Sequence, residues 1–191
     1  NLLTISTDNV KDKTLYHKVF EYIKSKNKNN KVFIVHRLDK DTSGLVVFAK
    51  SEEIKKKLQD NWKDVIRKYY AVVHGITKDS DTIKSFIRET KTLYCYSSTS
   101  GELAITKYNK IKSNNNYSLL DINILTGKKN QIRVHMKDNK TPIVGDKKYG
   151  VPDKSKKMLL EAYYLEFAHP FTKEIVKFEL NLPSEYKEYF K

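Results

Sequence analysis

The chain has 191 residues, of which 39% are hydrophobic and 31% charged, and its formal net charge is +14. That length suits one domain with a real core, and a single cysteine, Cys95, excludes an intramolecular disulfide and a thiolate zinc site. Such a charge excess repels itself in a compact domain unless a polyanion screens it, so nucleic acid is the first partner to consider. A lysine-rich surface that merely reflects composition bias is the competing account.

The chain opens with "NLLTIST", apolar and β-branched, which reads as the inside of a strand. In "VKDKTLYHKVFEYIKSK", Leu15, Val19 and Ile23 recur at i, i+4 and i+8, predicting an amphipathic helix, with His17 on its surface. "VFIV" and "GLVVFAK" read as two buried strand segments flanking the charged run "HRLDKDTSG", His36 to Gly44. That run is either a solvated hairpin turn or an active-site loop delivered by strands; Lys40 and Asp41 are expected to face solvent. "SEEIKKKLQDNWK" predicts a helix capped by Ser51, with Glu52 and Glu53 in its first turn and Ile54, Leu58 and Trp62 on one face.

"VIRKYYAVVHG" predicts a strand ending at Gly75, with Arg67 and Tyr69 on one face and Lys68 and Tyr70 on the other. From Ile76 to Ser100 the pattern is weak, consistent with short strands and a hairpin. "LAITKYNKI" and "YSLLDINIL" alternate as antiparallel strands around "KSNNN". "KNQIRVHMKDN" predicts a helix following Thr126-Gly127, and "MLLEAYYLEFAHP" with "EIVKFELNL" a closing β-pair. Together these elements imply an α+β class with a mixed, largely antiparallel central sheet and flanking helices.

Three constellations bear on chemistry. Asp39 and Asp41 form a D-x-D, but a divalent-metal site needs further carboxylates, and Asp146 is the only obvious one, so no metal is expected. "TGKK" lacks the spaced glycines of a P-loop. Lys128, Lys129, Arg133 and His135 concentrate positive charge at a turn entering a predicted helix, where free backbone N–H groups also favour phosphate. Arg133, between Ile132 and Val134, is a candidate for burial and so needs a carboxylate; Asp39 has the complementary requirement.

At these residues the sequence resembles a known family. "HRLDKDTSGLVVFAK", "RKYYAVVHG" and "LTGKKNQIRVHM...TPIVGDKKYG" are similar to the three signature segments of the RluA-type RNA pseudouridine synthases, and the similarity runs from about Asn1 to about Pro183. The resemblance implies the pseudouridine synthase catalytic-domain fold over residues 1–191, with the domain's start and any upstream RNA-binding extension outside the chain. It implies isomerisation of uridine in ribosomal or transfer RNA, without a cofactor. Asp39 falls on the family's essential aspartate, Tyr69 on the tyrosine that stacks on the target base, and Arg133 on the arginine that pairs with the aspartate. Arg37 matches the residue that replaces the flipped nucleotide, Ile132 lines the pocket, and Lys128, Lys129 and Gln131 lie in the RNA-contacting turn.

Departures occur where the family commonly reads Thr-Gly-Arg-Thr-His-Gln and this chain has Thr126, Gly127, Lys128, Lys129, Asn130 and Gln131. Glu161 likewise stands where histidine is common. No apolar run is long enough to cross a bilayer and no signal peptide pattern opens the chain, so a cytoplasmic monomer with RNA as partner is expected. A catalytically silent RNA-binding module of the same fold is the alternative.

Overall fold

A computed structural model describes Thr4 and residues 14–191. The strand expected in the first seven residues lies, apart from Thr4, outside the described residues. Helix α1 (Leu15–Lys26) begins at Thr14, whose hydroxyl accepts from the His17 backbone N–H at 3.1 Å. Helix α2 (Glu52–Asp60) begins in the same way, with Ser51 Oγ accepting from Ile54 N–H at 3.2 Å and Glu52 and Glu53 in the first turn. A 3-10 turn at Trp62–Asp64 leads into the sheet.

The central sheet contains β4 (Ile66–His74), β5 (Ser80–Glu89), β6 (Cys95–Ser98), β7 (Glu102–Ser113), β8 (Tyr117–Ile124), β9 (Leu160–Ala168) and β10 (Ile175–Glu179). They lie in the order β10-β9-β4-β8-β7-β5-β6 with every neighbouring pair antiparallel. The short β2 (Ser43–Gly44) joins β9 in parallel, making the sheet mixed. The α+β class with a largely antiparallel sheet is therefore observed. The weakly patterned stretch after Gly75 holds a longer strand than expected. β5 runs ten residues, with most of one face exposed, which blurs its hydrophobic alternation.

At the centre of the sheet both faces are covered. Along the central strand β4, Tyr69, Ala71 and Val73 meet a cluster that includes Ile132 and Met136 from helix α3 (Gln131–Asp138). Tyr70 and Val72 point the other way, toward Leu119, Val144 and Tyr186. Tyr186 belongs to a one-turn helix α4 (Ser184–Glu188), too short to leave a periodic signal in the sequence. This alternation is what carries Arg67 and Tyr69 to the α3 side.

The charged run sits between β1 (Phe33–Ile34) and β3 (Phe48–Ala49), which pair antiparallel. Both are much shorter than the apolar stretches that contain them. The reason lies in where the backbone hydrogen bonds go: Val47 N–H donates to His36 Nε2 at 3.0 Å and Leu45 N–H to the Ala162 carbonyl at 2.9 Å. Leu58 of α2, with Ile54 and Trp62, packs on this ribbon. The loop is thus both a hairpin connection and a structure clasped at three points, the third being β2 on β9.

Gly44 makes the β2 contact possible. Its φ is +116°, and a Cβ there would lie 2.2 Å from the Ala162 carbonyl oxygen. Gly44→Ala is therefore expected to lift the loop off β9 and to lower stability by roughly 2–4 kcal/mol. Urea denaturation checks this; an unchanged midpoint would mean that β2 is not a fixed anchor.

Candidate active site

Between the clasped loop, β4, the end of β8 and the start of α3 lies a cleft of about 650 Å³. His36, Arg37, Asp39, Trp62, Arg67, Tyr69, Lys128, Lys129, Gln131, Ile132 and Leu160 are among the residues that line it. Of the residues expected at a site, only Arg133 is not on this wall.

Asp39 is placed by α3. Its Oδ2 accepts from the Asn130 backbone N–H at 2.9 Å, a contact between residues 91 apart in sequence. Asn130 occupies the N-cap position of α3 in a left-handed conformation, φ 56° and ψ 20°, which asparagine tolerates better than most side chains. The carboxylate therefore meets the positive end of the helix. Burial raises the Asp39 pKa above the ordinary carboxylate range, and Arg133, the Asn130 N–H, Arg37 and Lys129 oppose that rise without cancelling it.

Arg133 does not pair with Asp39, contrary to the expectation. Its Nε and Nη2 donate to the two oxygens of Asp146 at 2.8 and 2.7 Å, and its Nη1 donates to Asn130 Oδ1 at 3.2 Å. The fork geometry decides this: Asp146 presents both oxygens to the guanidinium, whereas Asp39 is held through the backbone of Asn130. Asp146 also accepts from the N–H groups of Lys148 and Tyr149, and its pKa is lowered: burial would raise it, but Arg133 and these N–H donors outweigh burial. Arg133 then influences Asp39 as a field and, through Asn130, as a brace.

Two other expected roles change. Gln131 is buried, and its amide is spent within the protein: it accepts from Thr126 Oγ1 and Lys128 N–H and donates to the Ile105 carbonyl and Thr106 Oγ1. It shapes the turn. His135 adds no positive charge, because it is fully buried, with Nδ1 2.8 Å from Thr106 Oγ1 and Nε2 3.0 Å from Ser85 Oγ, and burial lowers its pKa to about 4. Lys128 and Lys129 do supply charge, yet they already pair with Glu102 and Glu89. Arg37 is exposed at the cleft, Lys40 is exposed as expected, and Asp41 is half-buried with φ 73°.

Tyr69 packs its ring beside Ile132 and Leu160. Burial pushes its phenol up to about 12, with Arg67 opposing and Asp39 adding to the rise. His36 is neutral for a similar reason. Burial and then the nearby Arg67 lower its pKa to about 4, which suits a ring nitrogen that accepts from Val47 N–H, and the ring packs on Trp62 at 4.5 Å. Asn130 and Asp146 were not singled out as site residues from sequence. A left-handed-tolerant residue before an amphipathic helix, and a lone carboxylate after the apolar "PIVG", were the available signals.

Comparisons with known proteins place the chain in a family. Residues 2–138 match the model of the family described as RNA pseudouridylate synthase. The chain belongs to this family and is of the RluA type. It is 41% identical over 163 residues to the RNA pseudouridine synthase YlyB of Bacillus subtilis, itself uncharacterized, covering 81% of this chain and 54% of that protein. It is 38% identical to ribosomal large subunit pseudouridine synthase C of Rickettsia typhi, covering 78% and 53%, and 34% identical to ribosomal large subunit pseudouridine synthase D of Haemophilus influenzae, covering 81% and 54%. The chain spans about half the length of these relatives. In fold it is similar to human RNA pseudouridylate synthase domain containing 4, with a TM-score of 0.81 at 20% identity over 99% of this chain and 85% of that one.

Removing one member of the Arg133–Asp146 pair leaves the other charged and buried. Arg133→Ala is expected to cost about 3–5 kcal/mol, and the double variant Arg133→Met with Asp146→Asn markedly less. Chemical denaturation of the three proteins tests this; a double variant that loses as much as Arg133→Ala or more would show that the stranded carboxylate is not what costs stability.

His135 sets an acid limit on stability. Its folded pKa is depressed, so its neutral form favours the fold; that contribution is complete above the unfolded value of 6.5 and is lost as pH falls toward about 4. The loss is about 3 kcal/mol. Unfolding free energies measured at pH 7.5 and pH 4.5 should differ by less in His135→Gln.

Proposed function

We propose that this chain is the catalytic domain of an enzyme that converts specific uridines in structured RNA to pseudouridine, with Asp39 as the essential group. The observation that carries the reading is a half-buried carboxylate, oriented by the Asn130 N–H, in a cleft walled by Tyr69 and rimmed with cations. The names of the relatives from Rickettsia typhi and Haemophilus influenzae favour large-subunit ribosomal RNA over transfer RNA.

The reaction breaks the N1–C1′ bond of uridine, turns the base and joins C5 to C1′. Ionised Asp39 serves either as nucleophile at C1′ or as base at C2′. Burial raises its pKa, which makes the ionised form a better base or nucleophile than an ordinary aspartate's. A uridine extruded from structured RNA costs a few kcal/mol, and stacking on Tyr69 returns roughly 1–3 kcal/mol. Arg37, exposed at the mouth of the cleft, is suited to filling the vacated space, and Lys128 and Lys129 to meeting phosphates in exchange for their glutamates. Ile132 closes the apolar side. The reading includes a cytoplasmic, monomeric enzyme; no described helix is long and apolar enough to cross a membrane.

Tritium release from [5-³H]uridine-labelled ribosomal RNA tests the reading. The wild-type chain should release tritium in EDTA, with a rate that falls on acidification at a midpoint above that of an ordinary aspartate. Asp39→Asn should release none while remaining folded. Its melting temperature should equal or exceed the wild type's, because a raised pKa means that the ionised carboxylate costs stability at neutral pH. RNA binding without release by the wild type would favour the silent binding module.

A further inference from the structure

Two arginines are buried on the α3 side of the sheet, and they differ in one respect. Arg133 has Asp146. Arg67, 8% exposed, forms no ion pair among the described residues, and its Nε is buried without a hydrogen-bond partner. Burial pushes its pKa down, and among the described residues the phenol of Tyr69 opposes this. A buried guanidinium without an anion is a costly arrangement that a folded chain keeps only for a reason.

The surroundings of Arg67 are built to leave it that way. Its side chain lines the cleft, with His36, neutral, and Trp62 on the same wall. Gly127 of the turn approaches so closely that a Cβ there would lie 2.7 Å from Arg67 Nη1. The turn's backbone thus lies against the guanidinium and leaves no room for a protein carboxylate from that side. Lys128 and Lys129, which follow Gly127, turn outward to Glu102 and Glu89. Among the cations that line the cleft, Arg67 is the buried one, and these pairs do not neutralise it.

We propose that Arg67 is the phosphate-binding residue of the cleft, taking a backbone phosphate of the nucleotide whose base lies on Tyr69. This rests on the reading of Tyr69 as the base platform. The two side chains leave β4 on the same face two residues apart, about 7 Å along the strand. A pyrimidine ring and its own phosphate are separated by a similar span. The planar fork of arginine matches two phosphate oxygens, and a desolvated site strengthens that contact. Unlike the rim lysines, Arg67 holds no carboxylate that the phosphate must first displace.

Trp62, the only tryptophan in the chain, lines the same cleft and reports occupancy. Its fluorescence is titrated with uridine, with uridine 3′,5′-bisphosphate and with inorganic phosphate, using the full chain as wild type, Arg67→Met and Arg67→Lys. The wild type should bind the bisphosphate about tenfold or more tighter than uridine. Arg67→Met should lose that excess while binding uridine as before, and Arg67→Lys should recover part of it. A bisphosphate advantage that persists in Arg67→Met overturns the proposal, as does a wild type that prefers uridine or binds both alike. Arg67→Met should also melt no lower than the wild type without ligand; a lower melting temperature together with weakened uridine binding in Arg67→Met assigns the arginine to structure instead. Tritium release is scored separately, so a phosphate site in a protein that releases none would sink the enzymatic reading and leave this one standing.

Discussion

One hydrogen bond joins the two halves of the site. The Asn130 N–H reaches Asp39 across 91 residues of chain, and it does so because Asn130 adopts a left-handed turn immediately before α3. The bond fixes the carboxylate against a helix N-terminus. It also places the loop between β1 and β3 opposite β4, and so defines the space in which a base can lie against Tyr69. Everything that clasps the loop, from the His36 ring on Val47 to Gly44 on Ala162, acts to keep that bond in register.

Around this bond, charges are separated by task. The Arg133–Asp146 pair is buried and self-contained, and it shares Asn130 with Asp39 through the asparagine's side chain. His36 and His135 are held neutral by burial. Among the described residues, the Asp39 carboxylate thus sits in a positive field without a direct ion-pair partner. A carboxylate locked in a bidentate pair would be oriented but poorly nucleophilic; one held by a single N–H keeps a free oxygen.

Much of this was legible in the sequence. The helix faces, the Ser51 cap, the β7–β8 hairpin and the face alternation that puts Arg67 with Tyr69 follow from local periodicity, and local periodicity was read correctly there. The signature segments picked out Asp39, Tyr69 and Ile132, all of which line one cleft. The partner of Arg133 was not legible, since a buried arginine announces a need for a carboxylate without saying which one. Asp146, followed by two lysines in sequence, resembles a surface residue until the chain folds it against α3. The lengths of β1, β3 and β5 escaped for a related reason: their ends are set by hydrogen bonds to distant groups and by an exposed sheet face.

The glutamates on the cleft's rim have a consequence of their own. Glu102 and Glu89 are tethered counterions, held to Lys128 and Lys129 by the fold and impossible to dilute away. A polyanion that enters the cleft exchanges with them and frees fewer mobile ions than the number of lysines it touches, so it gains less entropy from the encounter. The rim then rewards a ligand only when its own charges arrive in the right places. A strongly basic protein thereby limits its grip on arbitrary polyanions without giving up its overall attraction to them.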